Sequence, residues 1–235
     1  MAGNNSAPGT TYGIYAGSGS SILDSASYGN SAYAAAGNCI GMYGNVGSTI
    51  SRCTAYNNTA TGGTGSAYGI WASQGCQVTH CTAYGNAASV GSGGAGILGI
   101  SECLISDCIA RNNQGGGNTI GINAVGYSSI LNCVADYNDT GIQANSFCLV
   151  KNNTAHSNSS GTGIRIAGPG SRVENNTSAN NGYGFYLDGL ATANLIVNNH
   201  AVSNFFANYS ISAGNFAAPI ETTATFTNSW ANYSF

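Results

Sequence analysis

The chain has 235 residues, and only 6% of them are charged, against about 25% in a typical soluble protein. A formal net charge of −3, with five Lys and Arg in all, excludes a nucleic-acid backbone or an anionic membrane as partner, since both need clustered basic residues. No apolar run approaches the roughly 20 residues that cross a bilayer, so no membrane span is expected.

Residues 1–11 are short and polar, contain Pro8, and read as an N-terminal extension without the basic and apolar regions of a secretory signal. From residue 12 to 204 one unit then recurs eight times. It opens on Gly13, Gly41, Gly69, Gly96, Gly121, Gly141, Gly163 and Gly184, at spacings of 28, 28, 27, 25, 20, 22 and 21 residues. It closes on Asn30, Asn58, Asn86, Asn113, Asn138, Asn158, Asn181 and Asn204. Within each unit apolar positions alternate over short runs, as in Gly69-Ile70-Trp71-Ala72, between Gly, Ser and Asn. Such runs are strands, because no stretch offers the ten or more residues of 3.6-residue period that a helix needs. Three strands and three bends per unit, stacked unit on unit, make a parallel β-helix of about eight coils. The coil length favours the right-handed form. Residues 205–235 break the repeat with Phe205, Phe206, Tyr209, Phe216, Phe226, Trp230, Tyr233 and Phe235, and read as an aromatic-rich C-terminal cap over exposed strand edges. Nothing comparable covers the first coil, whose open end leaves room for end-to-end self-association or a further N-terminal region.

Aligned on the asparagine, the units give columns that run along the axis at about 4.8 Å per coil. Eight residues before it stand Ile22, Ile50, Val78, Ile105, Ile130, Val150, Val173 and Ile196, a β-branched stack that belongs in the core. Five before it Ser25, Cys53, Cys81, Cys108 and Cys133 give way to Asn153, Asn176 and Asn199. Rungs about 4.8 Å apart hold stacked Cβ atoms farther apart than the roughly 3.8 Å of a disulfide, and no His shares the cysteine columns, so buried free thiols are expected rather than bridges or a metal.

Two outward columns carry the candidate function. One reads Tyr15, Tyr43, Trp71, Leu98, Asn123, Gln143, Arg165 and Tyr186; the other reads Tyr28, Tyr56, Tyr84, Arg111, Asp136 and His156. The six aromatics that open them, Tyr15, Tyr43, Trp71, Tyr28, Tyr56 and Tyr84, are the candidate carbohydrate contacts, because aromatic faces stack on sugar rings. The plainer alternative is that they are ladders that only brace neighbouring coils. Asp136, between Arg111 and His156, is the most enzyme-like group, a His beside a carboxylate being a competent general base. A further column sets Asp24 beside Arg52 and His80 beside Asp107, and ion pairing between rungs accounts equally for such charges.

The repeats GIQANSFCLVKNNTAHSN and GIRIAGPGSRVENNTSANN, with the ending TNSWANYSF, are similar to right-handed parallel β-helix proteins of the pectin-lyase-like kind, in the style of bacterial secreted repeat proteins. The likeness covers nearly the whole chain. It implies the fold and a leaning towards carbohydrate, the family embracing pectate lyases, polygalacturonases, alginate epimerases, phage tailspikes and noncatalytic adhesins. The Asn-Thr-Asp, Asp-Asp and Gly-His-Gly segments of the polygalacturonases and the Asp-Pro-His-Asp of the epimerases do not occur here. The sequence therefore points to a noncatalytic extracellular or surface scaffold contacting polysaccharide. A polysaccharide lyase or glycoside hydrolase is the alternative, with calcium as cofactor only in the lyase case. Ice binding or a purely structural β-solenoid ranks third, the former because Ile109, Val134 and His200 interrupt the column of Thr54, Thr82, Thr154 and Thr177.

Overall fold

A computed structural model describes the chain apart from residues 34–35, 90–92, 117, 159–160 and 223–227. All its regular elements are strands, every pairing is parallel, and the described strands form sheets of nine, nine, eleven and four members. One turn shows the plan. Thr11–Ala16 enters the first sheet, Ser21–Leu23 the second, Ala26–Tyr28 the third and Ser31–Ala32 the fourth, after which Cys39–Gly44 returns to the first beside Thr11–Ala16. The fourth sheet runs only from Ser6–Ala7 to Ala87–Ala88. It uses the extra residues of the 27–28-residue turns and closes a small second core of Ala32, Cys39, Ala60, Ala67 and Ala88. Three strands per turn is thus the plan of the later turns, and the early ones add a fourth. No described helix is long and apolar enough to cross a membrane.

The axial register follows the columns. Ile22, Ile50, Val78, Ile105, Ile130, Val150, Val173 and Ile196 are successive partners in the second sheet and are all buried. The residues after the opening glycines, Met42 to Phe185, form the facing stack at 0% exposure, so the interior is filled side chain and not a channel.

The bends share one device. Each turn passes the left-handed backbone region at three corners. In the turn from Gly121 these are Tyr127, Asn132 and Tyr137, with φ of 49°, 55° and 55°. A left-handed residue rotates the next N–H off the ladder and into the core, where it needs an acceptor. The next rung supplies it from a side chain. Asn58, Asn86 and Asn113 donate their backbone N–H to the Oδ1 of Asn86, Asn113 and Asn138 at 3.2, 3.2 and 3.0 Å. At the other corners Cys103 donates to Ser128 Oγ and Asn153 to Asn176 Oδ1.

The asparagine side chains also link to one another, Nδ2 to Oδ1, from Asn30 through every closing asparagine to Asn204, and from there to Asn208. From Asn86 on, each buried member donates its second Nδ2 proton to a backbone carbonyl, Asn86 to Ala55 and Asn113 to Ala83. The amide is then fully used. The ladder also explains the glycines: a Cβ on Gly96 would stand 2.6 Å from Asn113 Nδ2 and 2.8 Å from the Gly121 carbonyl.

At the ends the structure adds to the sequence reading. Residues 1–11 carry Ala2–Gly3 and Ser6–Ala7, which pair into the third and fourth sheets, whereas Thr11–Ala16 and Ser21–Leu23 remain edge strands of the first and second. Past residue 204 the described strands add a ninth turn: Ala207–Ser210, Phe216–Ala217 and Asn232–Ser234 join the first, second and third sheets. Tyr209 stacks on Phe185 and donates its hydroxyl to the Asn199 and Tyr233 carbonyls. Phe205, Phe206, Phe216 and Trp230 are exposed, and Phe226 lies outside the described residues.

All eight cysteines are free and buried, their thiols donating to backbone carbonyls such as that of Ser51 for Cys53. Denatured without reductant, the protein should yield eight reactive thiols; six or fewer would reveal a disulfide. Asn113→Ala strips acceptors from the buried Asn86 amides and should cost about 2–4 kcal/mol in urea unfolding. Gly96→Ala is destabilising alone, yet in the Asn113→Ala background its further cost should fall by about 1 kcal/mol or more, because one of its two clashes is gone. Strict additivity would refute the steric link between glycine and asparagine.

Candidate functional site

The third sheet presents Tyr28, Tyr56, Tyr84, Arg111, Asp136 and His156 as one file on consecutive rungs. Small inward neighbours, Ser27, Ala55, Ala83, Ala110, Ala135 and Ala155, let the strands lie flat beneath it. Tyr28, Tyr56 and Tyr84 stack face to face, with centroids 5.1 and 4.9 Å apart and planes within 11°. Their faces are therefore taken by one another, and the file turns ring edges and phenol hydroxyls to solvent. A stacking platform for sugar, as the sequence suggests, is available only past the ends of the ladder.

Beyond Tyr84 the file becomes charged. A depression of about 360 Å³ is lined by Thr82, Tyr84, Arg111 and Asn112, and Arg111 makes no ion pair among the described residues. Asp136 is only 9% exposed. One carboxylate oxygen, Oδ2, stands 4.0 Å from His156 Nε2, and Oδ1 is buried without a hydrogen-bond partner. The Tyr137 ring meets the His156 imidazole edge-on at 6.2 Å, and His156 Nδ1 lies 3.3 Å from Ser157 Oγ. The positive φ of Tyr137 belongs to the corner that every turn repeats and is no local strain peculiar to this site.

The other aromatic column lies on the first sheet. Tyr15 and Tyr43 stack at 5.1 Å, Trp71 follows tilted by 55°, and Tyr12 and Tyr68 meet these rings edge-on. The second sheet separates the two ladders on one side and the fourth on the other, so Tyr15, Tyr43 and Trp71 do not share a face with Tyr28, Tyr56 and Tyr84. Spacing along the chain fixes the rung of a residue but not its angle about the axis. Leu98, expected outward, is 6% exposed beside the Trp71 rung. Past it, Arg165 is held by both oxygens of Asp188 at 3.0 and 2.7 Å and reaches Gln143.

Of the rung-to-rung charge pairs, Arg52 grips Asp24 at 2.6 and 2.8 Å, which holds that carboxyl below its usual range. His80 and Asp107 form no ion pair, because Asp107 accepts from Asn132 on the rung beyond. Seven of the eight carboxylates thus have partners, Asp24, Glu102, Asp107, Asp139, Glu174 and Asp188 at close range and Asp136 through His156 at 4.0 Å. Glu174 is held by Lys151 and Arg172, a cluster the sequence reading passed over. Lys151 and Glu174 both stand seven residues before a closing asparagine, so the alignment did carry that signal. Among the described residues no three of His, Cys, Asp and Glu are grouped so as to hold a metal ion.

The family model described as "Right handed beta helix region" matches residues 66–231. No curated protein matches the sequence. Among solved structures, the chain is similar to the A-module of the mannuronan C-5 epimerase AlgE6 of Azotobacter vinelandii, at 17% identity and a TM-score of 0.53, over 85% of this chain and 58% of that one. It is similar also to the periplasmic alginate epimerase AlgG, at 13% identity and 0.50, over 89% and 59%. The chain spans less than two thirds of either protein, and identities this low establish a common fold alone.

If the stacked tyrosines brace the coils, Tyr56→Ala, which breaks two stacks, should lower unfolding stability by about 1–3 kcal/mol. Arg111→Ala, two rungs on, should change it by less than about 0.5 kcal/mol. Equal effects would show that the rings contribute nothing through stacking.

Proposed function

The chain belongs to the right-handed β-helix family, and from that premise we propose that it is a noncatalytic scaffold whose third sheet lies against a polysaccharide. The observation that carries this reading is the unbroken file from Tyr28 to His156 on one flat sheet. Six rungs at about 4.8 Å set out phenol hydroxyls, a guanidinium and an imidazole over roughly 24 Å, with the Asp136 carboxylate recessed between the last two. A linear polymer of hydroxyl-bearing rings needs such a row of donors and acceptors. Beside it Thr54, Thr82, Thr154 and Thr177 add hydroxyls, with Ile109 and Val134 between them on the same column. Similarity to proteins named for mannuronan and alginate supports the same class of partner by analogy of fold, which by itself does not determine function. An extracellular or cell-surface setting is part of the proposal.

The noncatalytic part rests on how the carboxylates are used. Glycosidic cleavage generally draws on two cooperating carboxyl groups, and along this file Asp136 has Arg111 and His156 as rung neighbours. One observation favours a second reading, a carbohydrate-active enzyme: the buried, unpartnered Oδ1 of Asp136 beside His156. In that reading His156, poised by Asp136, takes a proton from the sugar and Arg111 steadies the charge that develops. Calcium belongs only to the lyase form of that reading.

The protein should be mixed with plant, algal and bacterial polysaccharides and followed by size-exclusion chromatography with light scattering. Co-elution at unchanged polymer mass, lost in a Tyr84→Ala, Arg111→Ala variant that still unfolds cooperatively after losing the one stack Tyr84 makes, is the expected result. A fall in polymer mass that Asp136→Asn abolishes would replace the scaffold by the enzyme.

A further inference from the structure

The second sheet carries a cleft that the third-sheet reading does not use. Lys151, Glu174 and Val197 are successive rung partners, and the Asn198 N–H donates to the Trp230 carbonyl as the Asn152 N–H donates to that of Glu174. Trp230 thus occupies the next place in the same outward file, three rungs or about 14 Å beyond Lys151. These residues, with Arg172 and Asn198, line a cavity of about 310 Å³.

Its two ends differ in chemistry. At one end Glu174, only 8% exposed, takes Lys151 Nζ on Oε1 at 2.7 Å and Arg172 on Oε2. A buried carboxylate needs such partners, but one cation would balance its charge. The second leaves the trio at +1, in a chain with five basic residues and a net charge of −3. Lys has three donors and Arg five, so both retain N–H groups to offer outward, with side chains 38% and 45% exposed. At the other end the Trp230 indole is 60% exposed and meets no other aromatic ring among the described residues. Its backbone is fixed: its N–H donates to Asn228 Oδ1, its carbonyl accepts from Asn198, and Ala231 and Asn232 behind it are fully buried. A large apolar face held out on a rigid stem, facing a surplus positive charge across a cleft edged by the Asn198 amide, is complementary to a ring that is apolar on one face and anionic at one substituent.

We propose that this cleft is a binding site for an acidic sugar residue, with its anionic group at Lys151 and Arg172 and its ring against Trp230. Glu174 is the positioning group: it fixes both cations and prevents either from folding over the cleft. The site is separate from the third-sheet file, and neither needs the other.

Titration calorimetry with a tetramer of galacturonate, a tetramer of mannuronate, their carboxyl-reduced neutral counterparts and a sulfated neutral tetramer tests it. At least one acidic tetramer should bind at least tenfold more tightly than its neutral counterpart, more weakly as salt is raised. Arg172→Ala and Trp230→Ala should each lose tenfold or more, with Trp230→Phe recovering much of the loss and melting temperatures unchanged. Preference for the uronates over the sulfated tetramer assigns the anionic group as carboxylate, and the reverse as sulfate. Equal binding of acidic and neutral tetramers, undiminished binding by both variants, or no binding of any acidic tetramer would overturn the proposal. The Tyr84→Ala, Arg111→Ala variant should bind the tetramer as the parent does, so failure of the third-sheet reading leaves this result intact.

Discussion

The constraint on which the molecule depends is a backbone N–H that each left-handed corner turns into a dry interior. An unmet buried amide costs about 1–3 kcal/mol, and three corners per turn over eight turns would be ruinous if left unpaired. The chain meets the demand with side chains short enough to stay inside and polar enough to accept: Asn at one corner, Cys then Asn at the second, Ser, Cys and Asn at the third. Because Asn both donates and accepts, each rung that satisfies the one before creates a need that only the next rung meets. The repeat is therefore chemically self-propagating. Glycine follows from it, since the Nδ2 of each ladder asparagine occupies the space where a Cβ on the opening residue would stand.

With polarity satisfied inside, the outside is released from the repeat. Charge is scarce because the corners and ladders run on amides, hydroxyls and thiols, and the charges that do occur are placed for other ends. Outward residues at one rung spacing pair with like residues above and below, as the stacked tyrosines do, and such pairing withdraws aromatic faces from solvent. An aromatic ladder in this fold is consequently a poorer sugar platform than its composition suggests. An aromatic group that ends a file, as Trp230 does, meets no second ring among the described residues.

The sequence made the axial dimension legible. Ile22 to Ile196, the closing asparagines and the passage from Cys133 to Asn153 fall into register as their spacing indicates, because insertions sit at the corners and leave the count between corners intact. The angular dimension was far less legible. The turn at each corner is carried by residues as unlike as Gly19, Tyr127, Phe147 and Ala193, all at positive φ, and no composition rule picks these out. That is why Tyr15 and Tyr28 could be placed on one turn but not on separate sheets. Asp107 turned to Asn132 rather than His80 because pairing along a column has two directions, and side-chain chemistry decides between them. Trp230 lies past the last complete repeat, where no alignment reaches, and only the Asn198 hydrogen bond reveals its file.

The two halves of the stack have the same interior and different exteriors. Turns one to three are long, carry the fourth sheet and both tyrosine ladders, and hold one of the five cations, Arg52, already paired with Asp24. Turns four to eight are shorter and hold Arg111, Lys151, Arg165 and Arg172 together with Asp136, Glu174 and Asp188. Within one turn Lys151 on the second sheet and His156 on the third are five residues apart, joined over the left-handed corner at Asn152. The Asp136 and Glu174 clusters thus flank a common edge, and along it Asn152 donates to Asn132 and Asn198 to Asn175. Since the same Gly and Asn device builds both halves, stability gives no reason for the charge to gather in one of them. Apart from the Arg165–Asp188 pair on the first sheet, its concentration on either side of a single corner is the feature of this surface that the fold does not require.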